Sequence, residues 1–250
     1  MFDSPVLIAV LATFLLAGTV KGVIGLGLPT VSLAILAVVI DLPSAMALLL
    51  VPSFVTNLWQ GLVGGHALAL LKRLWPFLLL ATGTVWFGAG ALSQMDLSGL
   101  SALLGLLLVI YGFVSLAGWR LTVPPGRERW LGPIMGAING ILTGMTGSFV
   151  VPGVMFLQAI GLTRDQLVQA MGISFTLSTL ALGAALHGNG LISAPQVQLS
   201  SLALIPALAG MALGRRIRQK MPEQMFRRVF FTALLLLGLY IIANSGALDL

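Results

Sequence analysis

This sequence predicts an all-α integral membrane protein built from two inverted repeats of about five helical segments each, with Gly-rich broken helices at the repeat interface. Three observations predict it. Hydrophobic side chains make up 58% of the 250 residues and charged ones only 8%, with a mean hydropathy of +1.05, so the chain cannot be divided into an apolar core and a solvated shell. The apolar stretches are continuous and rich in Leu, Ala, Gly and Val, without the alternation of membrane barrel strands, which makes them helices. The few charges fall in short loops, and their distribution reverses between the two halves.

The apolar segments of the first repeat, 1–118, run over about 5–22, 28–40, 44–65, 74–93 and 99–118. Those of the second repeat, 131–250, run over about 131–144, 148–161, 167–187, 197–214 and 227–244. A polar linker, 119–130, with Pro124, Pro125 and Gly126, joins the two into one domain. The segments of 13 or 14 residues reach only about 20 Å, short of the roughly 30 Å hydrocarbon layer, and they adjoin Gly-rich breaks. The first run follows Asp3 with no Lys or Arg before it, so it reads as a retained span and not a cleaved signal peptide.

The repeat is visible in the order of matching residues. Ser53-Phe54 recurs 121 positions later as Ser174-Phe175, and His66 recurs as His187. Gly18 and Gly22 match Gly136 and Gly140 at an offset of 118, and Gly88 and Gly112 match Gly214 and Gly238 at 126. The charges set the orientation. Lys72 and Arg73 load one loop of the first half, whereas its counterpart, 188–197, carries none; one loop later Asp96 stands alone where the second half holds Arg215, Arg216, Arg218, Lys220, Arg227 and Arg228. Under the positive-inside rule the halves are inverted. The linker, with Arg120, Arg127 and Arg129, then faces the cytoplasm, and both termini lie on the extracytoplasmic side.

The net charge of +6 and a pI near 10.8 would suggest nucleic acid if the basic residues lay on polar elements, but they lie in loops between membrane spans, so no nucleic-acid partner is expected. The absence of cysteine excludes a disulfide framework and thiolate chemistry. Two histidines without an HExxH pattern argue against a zinc site, and neither a metal nor any other cofactor is expected.

The first break contains Lys21, Gly22, Gly25, Gly27, Pro29 and Thr30; the second runs from Asn139 and Gly140 through Thr146, Gly147 and Ser148 to Pro152. Glycine lets backbone turn or approach a ligand, and proline near a helix start loses no needed donor, so each break is expected to begin a half-helix. The N-terminal amides of a half-helix attract anions, and inversion brings two such ends together near the midplane. The alternative is that the glycines only let helices pack closely. Lys21 is the ionisable residue placed deepest in an apolar stretch, and its counterpart is polar Asn139; it either lines a polar cavity with an anion for partner or snorkels to the surface. Ser53, Asn57 and Gln60 share one helical face, as do Ser174 and Ser178, and such faces either donate to an oxyanion or bond their own helix carbonyls. The candidate substrate-binding set is therefore Lys21, Gly25, Gly27, Thr30, Ser53, Asn57, Asn139, Thr146, Gly147, Ser148, Ser174 and Ser178. His66 and His187 sit at the far ends of equivalent segments and read as interfacial residues, with gating or proton carriage as the alternative.

At these residues the chain resembles the sulfite exporter (TauE/SafE-type) family of membrane transporters. The resemblance covers nearly the whole length. It rests on Gly22 through Pro29, on Gly136 through Pro152, on Gln169-Ala170-Met171-Gly172-Ile173-Ser174-Phe175 followed by His187-Gly188, and on Gly210 to Arg216 with Phe226-Arg227-Arg228. It implies a transport domain in a bacterial inner membrane that moves small sulfur-containing or carboxylate anions such as sulfite, organosulfonates or sulfoacetate. The second break departs from the family's usual consecutive glycines, with Thr146 and Ser148 around Gly147.

No nucleotide-binding loop and no deep carboxylate relay are visible, and an inside-negative potential alone favours anion exit by about 2.3 kcal/mol per charge per 100 mV. The partners expected are thus a small anion and the lipid bilayer, with a homo-oligomer left open. Two other classes fit the residues less well. An intramembrane serine protease would need a nucleophile in a GxSG-like setting, and Ser148, between Gly147 and Phe149, lacks it. A neutral-solute pore leaves Lys21 without a reason.

Overall fold

Backbone in hydrocarbon must satisfy its own hydrogen bonds, and long Leu- and Ala-rich runs do so as helices. In the computed structural model, which describes residues 4–92, 94–119, 121–124, 126–220 and 222–245, the described elements are all helical. In order they are α1 (Ser4–Ile24), α2 (Leu28–Val39), α3 (Leu42–Leu62), α4 (Ala67–Gly83), α5 (Val85–Leu92), α6 (Leu97–Ala117), α7 (Glu128–Thr146), α8 (Gly153–Ala159), α9 (Arg164–Gly188), α10 (Ala194–Lys220) and α11 (Glu223–Asn244). The linker charge at Arg120 and the chain ends lie outside the described residues. Among the described residues, seven helices are long and apolar enough to cross a membrane: α1, α3, α4 continued by α5, α6, α9, α10 and α11. Their outer surfaces carry Leu68, Phe87 and Ile205 exposed, and Trp59, Trp75, Trp119 and Trp130 are exposed too, the composition of lipid-facing and interfacial surface.

Several boundaries differ from the sequence expectation. The segment expected from 74 begins at Ala67 and breaks in two at Thr84, whose Oγ1 lies 2.7 Å from the Leu80 carbonyl and 2.9 Å from that of Ala137. The segment expected from 131 starts at Glu128, and that expected to end at 214 continues to Lys220. Charged helix ends explain both, because a helix projecting past the apolar layer keeps its hydrogen bonds while its side chains become polar.

The helices group into two compact units, each drawing on both halves of the sequence: Met1–Pro52, Asp96–Gly118 and Gly190–Leu250 form the first, and Ser53–Met95 and Trp119–Asn189 the second. In the first unit α1 lies along α10. A Cβ on Gly18 or Gly22 would overlap the Ala207 or Met211 carbonyl, and one on Gly210 or Gly214 would overlap that of Leu15 or Thr19, so only glycine permits this approach. α6 and α11 meet where Gly105 faces Gly238, and the Tyr111 ring meets Phe231 edge-on at 5.2 Å. Pro52 has no N–H for the Leu48 carbonyl. Ser200 of α10 repairs this, its Oγ donating to Leu48 O at 2.7 Å and accepting from the Val51 N–H at 3.1 Å.

In the second unit α7 lies along α4 and α5 through the same kind of joint: a Cβ on Gly136, Gly140 or Gly144 would overlap Phe77 O, Thr84 Oγ1 or Val85 O, and one on Gly88 the Ile141 carbonyl. The glycines that match between the sequence halves thus make close helix contacts in both units. The end of α3 meets α9 at Gly61 and Gly172. Gln169, buried, clasps this contact, donating from Nε2 to Gly61 O at 2.9 Å while its Oε1 accepts from the His66 N–H at 2.9 Å.

Candidate functional site

The second break lies in the second unit. α7 ends at Thr146 because Gly147 takes a left-handed φ of 73°, open to glycine at no steric cost, while its N–H still bonds Thr143 O at 2.8 Å. Two threonines then fix the turn. Thr146 Oγ1 donates to Leu142 O at 2.7 Å and accepts from the Ser148 N–H at 3.2 Å; Thr143 Oγ1 donates to Ser148 O at 2.9 Å. The chain runs on irregularly to Pro152, after a cis Val151-Pro152 bond, and α8 begins at Gly153, whose N–H bonds Asn139 Oδ1 at 2.9 Å. Asn139 therefore ties the start of α8 to α7.

The expectation that this break opens a half-helix at about 148 is corrected in one respect. α8 has only seven residues, Gly153–Ala159, because a residue before proline is pushed out of the helical region and Pro152 delays the helix. The free backbone donors here are consequently those of the break and not of a helix start. Phe149, Val150 and Val151 are buried, and within the described residues their N–H groups take part in no hydrogen bond. Sequence reasoning missed these amides; the signal was the apolar run between Gly147 and Pro152, too short for a helix. Ser148 Oγ is buried and without a hydrogen-bond partner as well.

Ser53, Asn57, Ser174 and Ser178 belong to the same unit, on α3 and α9. The break touches α9 directly through Phe149 and Phe175, their ring centroids 5.6 Å apart, next to Ser148 and Ser174. Among the hydroxyls of these helices, two groups stand out. Thr56, Thr176 and Thr179 bond carbonyls of their own helix, at Ser53, Gly172 and Phe175. Ser53 Oγ and Ser178 Oγ are buried and have no hydrogen-bond partner among the described residues. Buried polar side-chain atoms are paired in the large majority of cases, so three unpaired serine hydroxyls in one unit call for an explanation.

The first break lies in the first unit with Lys21, Gly25, Gly27 and Thr30. Gly27 caps α2 at a φ of 107°, and a Cβ there would press on Val20 and Phe230, so it is glycine for two reasons. α2 is the half-helix the sequence anticipates, 12 residues with Pro29 in its first turn. Lys21, in the last turn of α1, is 4% exposed, enclosed and not extended along the outer surface. Thr30 is buried beside the cap. His66 and His187 are exposed at helix ends.

A sequence profile of the sulfite exporter TauE/SafE family matches residues 10–241, nearly the whole chain. The chain belongs to this family. Its members are membrane transporters and not enzymes, so the intramembrane-protease reading falls, and the apolar helices fit a multi-pass membrane protein. No curated protein and no solved structure matches the chain.

Proposed function

We propose that the protein moves a small oxyanion, sulfite or an organosulfonate, outward across a bacterial inner membrane. The observation that carries this reading is the set of buried, unpartnered hydroxyls of Ser53, Ser148 and Ser178. A buried hydroxyl without a partner costs about 1–3 kcal/mol, and an anion that accepts from it removes that cost. The Phe149, Val150 and Val151 amides add donors of the same kind, with Asn57 and Ser174 alongside. Such donors recognise charge and oxygen geometry more than the rest of the substrate, which suits small anions as a class. Lys21, Gly25, Gly27 and Thr30 offer related chemistry in the first unit.

The direction follows from electrostatics: an inside-negative potential drives an anion out without further coupling. The sidedness follows from the loop charges, which put Lys72 and Arg218 in the cytoplasm and Gln94 and Asn189 outside in an inverted-repeat arrangement. The test is a thermal-stability panel on detergent-solubilised protein with sulfite, sulfoacetate, acetate, chloride and a neutral solute of similar size. A ligand at about 100 times its Kd stabilises by about 2.7 kcal/mol. Stabilisation by sulfite or sulfoacetate and none by the neutral solute is expected; equal shifts with the neutral solute overturn the anion reading.

A further inference from the structure

Away from the break, the second unit holds a cleft of about 730 Å³ between the charged ends of α4 and α7. Its rim carries Lys72, Arg73, Glu128 and Arg129, and its wall carries Pro76, Phe77, Pro133 and Phe156, the two Phe rings stacked at 5.2 Å. Arg73 is committed within the protein. Its Nε and Nη2 donate to the two Glu128 oxygens at 2.9 and 2.8 Å, and Nη2 also donates to Ile160 O at 2.8 Å. That pair is neutral, which leaves the exposed Lys72 and Arg129 as the uncompensated cations of the rim.

Both cations stand four residues before a proline inside a helix, Pro76 in α4 and Pro133 in α7. A proline has no N–H to bond the carbonyl four residues back, so the Lys72 and Arg129 carbonyls lack their usual helical donors. The rim therefore combines two cations with two carbonyl acceptors above an aromatic wall, and Trp75, 61% exposed, marks the membrane interface beside it.

We propose that this cleft binds the phosphodiester headgroup of an anionic, hydroxyl-bearing phospholipid of the phosphatidylglycerol type. The phosphate meets Lys72 and Arg129, the glycerol hydroxyls donate to the two carbonyls, and the upper acyl chain lies against Pro76, Phe77 and Pro133. A choline headgroup has a compensating cation and no hydroxyl donor, so it satisfies neither half of the rim. Basic pockets between membrane helices near the surface select anionic headgroups in this way.

The test is native mass spectrometry of the full-length protein in detergent, titrated with phosphatidylglycerol, with phosphatidylcholine, and with phosphatidylglycerol in competition with inorganic phosphate. At about fivefold per interfacial cation, phosphatidylglycerol should bind roughly 25-fold more tightly than phosphatidylcholine. The K72Q/R129Q double variant should bring the two lipids within about twofold, whereas the charge-preserving K72R/R129K variant and R218Q, in the other unit, should keep the preference. Wild-type protein that binds both lipids alike, or a preference that survives K72Q/R129Q, overturns the proposal. Loss of the preference in R218Q reduces it to net charge and overturns the site, and displacement of the lipid by equimolar phosphate overturns the lipid assignment.

Discussion

Ser148 and Thr146 are two residues apart at the same break, yet opposite effects are expected when their hydroxyls are removed. Thr146 Oγ1 holds two bonds, to Leu142 O and from the Ser148 N–H, so Thr146→Val strands a buried amide and should cost about 1–3 kcal/mol of stability. Ser148 Oγ holds none, so Ser148→Ala removes an unpaired buried polar atom and should leave stability unchanged or raise it by up to about 1 kcal/mol. If that hydroxyl donates to the substrate, the same change removes a hydrogen bond to a charged group, about 1.5–3 kcal/mol, and weakens binding about 10- to 150-fold. Melting of the detergent-solubilised variants at one scan rate, with and without sulfite, separates the two. At a concentration giving the wild type about 2.7 kcal/mol of stabilisation, a roughly 30-fold weaker Ser148→Ala retains only about 0.9 kcal/mol. A Ser148→Ala protein that melts below wild type without ligand and keeps the full sulfite shift refutes the reasoning, because Ser148 is then a packing residue.

Gly22→Val should destabilise by about 1–3 kcal/mol or more, because a side chain there meets the Met211 carbonyl, whereas Gly83→Ala, in open space, should not; detergent melts that rank the two alike contradict the α1–α10 joint. Lys21→Ala should raise the Kd for sulfite about tenfold or more with the chain still folded, read from the ligand-induced shift, and unchanged affinity removes Lys21 from substrate binding. Single cysteines at positions 94 and 218, in a chain with none of its own, should react with impermeant reagent from opposite sides, and labelling from one side ends the inverted arrangement.

What could be read from the sequence divides along physical lines. The spans, the Gly-rich breaks around Gly27 and Gly147 and the short helix α2 follow from hydropathy, backbone steric limits and proline, all local properties. The polar extensions of α4, α7 and α10 do not, because hydropathy reports where the apolar layer ends and a helix ends where its hydrogen bonds do. The break at Thr84 depends on a carbonyl of α7, 53 residues away in sequence. The serines and threonines of the third and ninth helices look equivalent in the sequence. Only the paired and unpaired states of Thr56 and Ser53, or of Thr179 and Ser178, tell them apart, and that depends on tertiary neighbours. The glycine matches, by contrast, were visible at once, because helices that approach this closely admit no other residue.

Transport is most directly tested by flux. Purified protein in liposomes loaded with labelled sulfite, under a potential clamped at 100 mV negative inside, should release label faster than empty liposomes, with a driving force of about 2.3 kcal/mol per charge, and reversing the potential should slow release. Unlabelled sulfite or sulfoacetate outside should accelerate exchange, and a neutral solute of similar size should not pass. Release of the neutral solute at the same rate, or sulfite release indifferent to the potential, contradicts an anion transporter driven outward by charge.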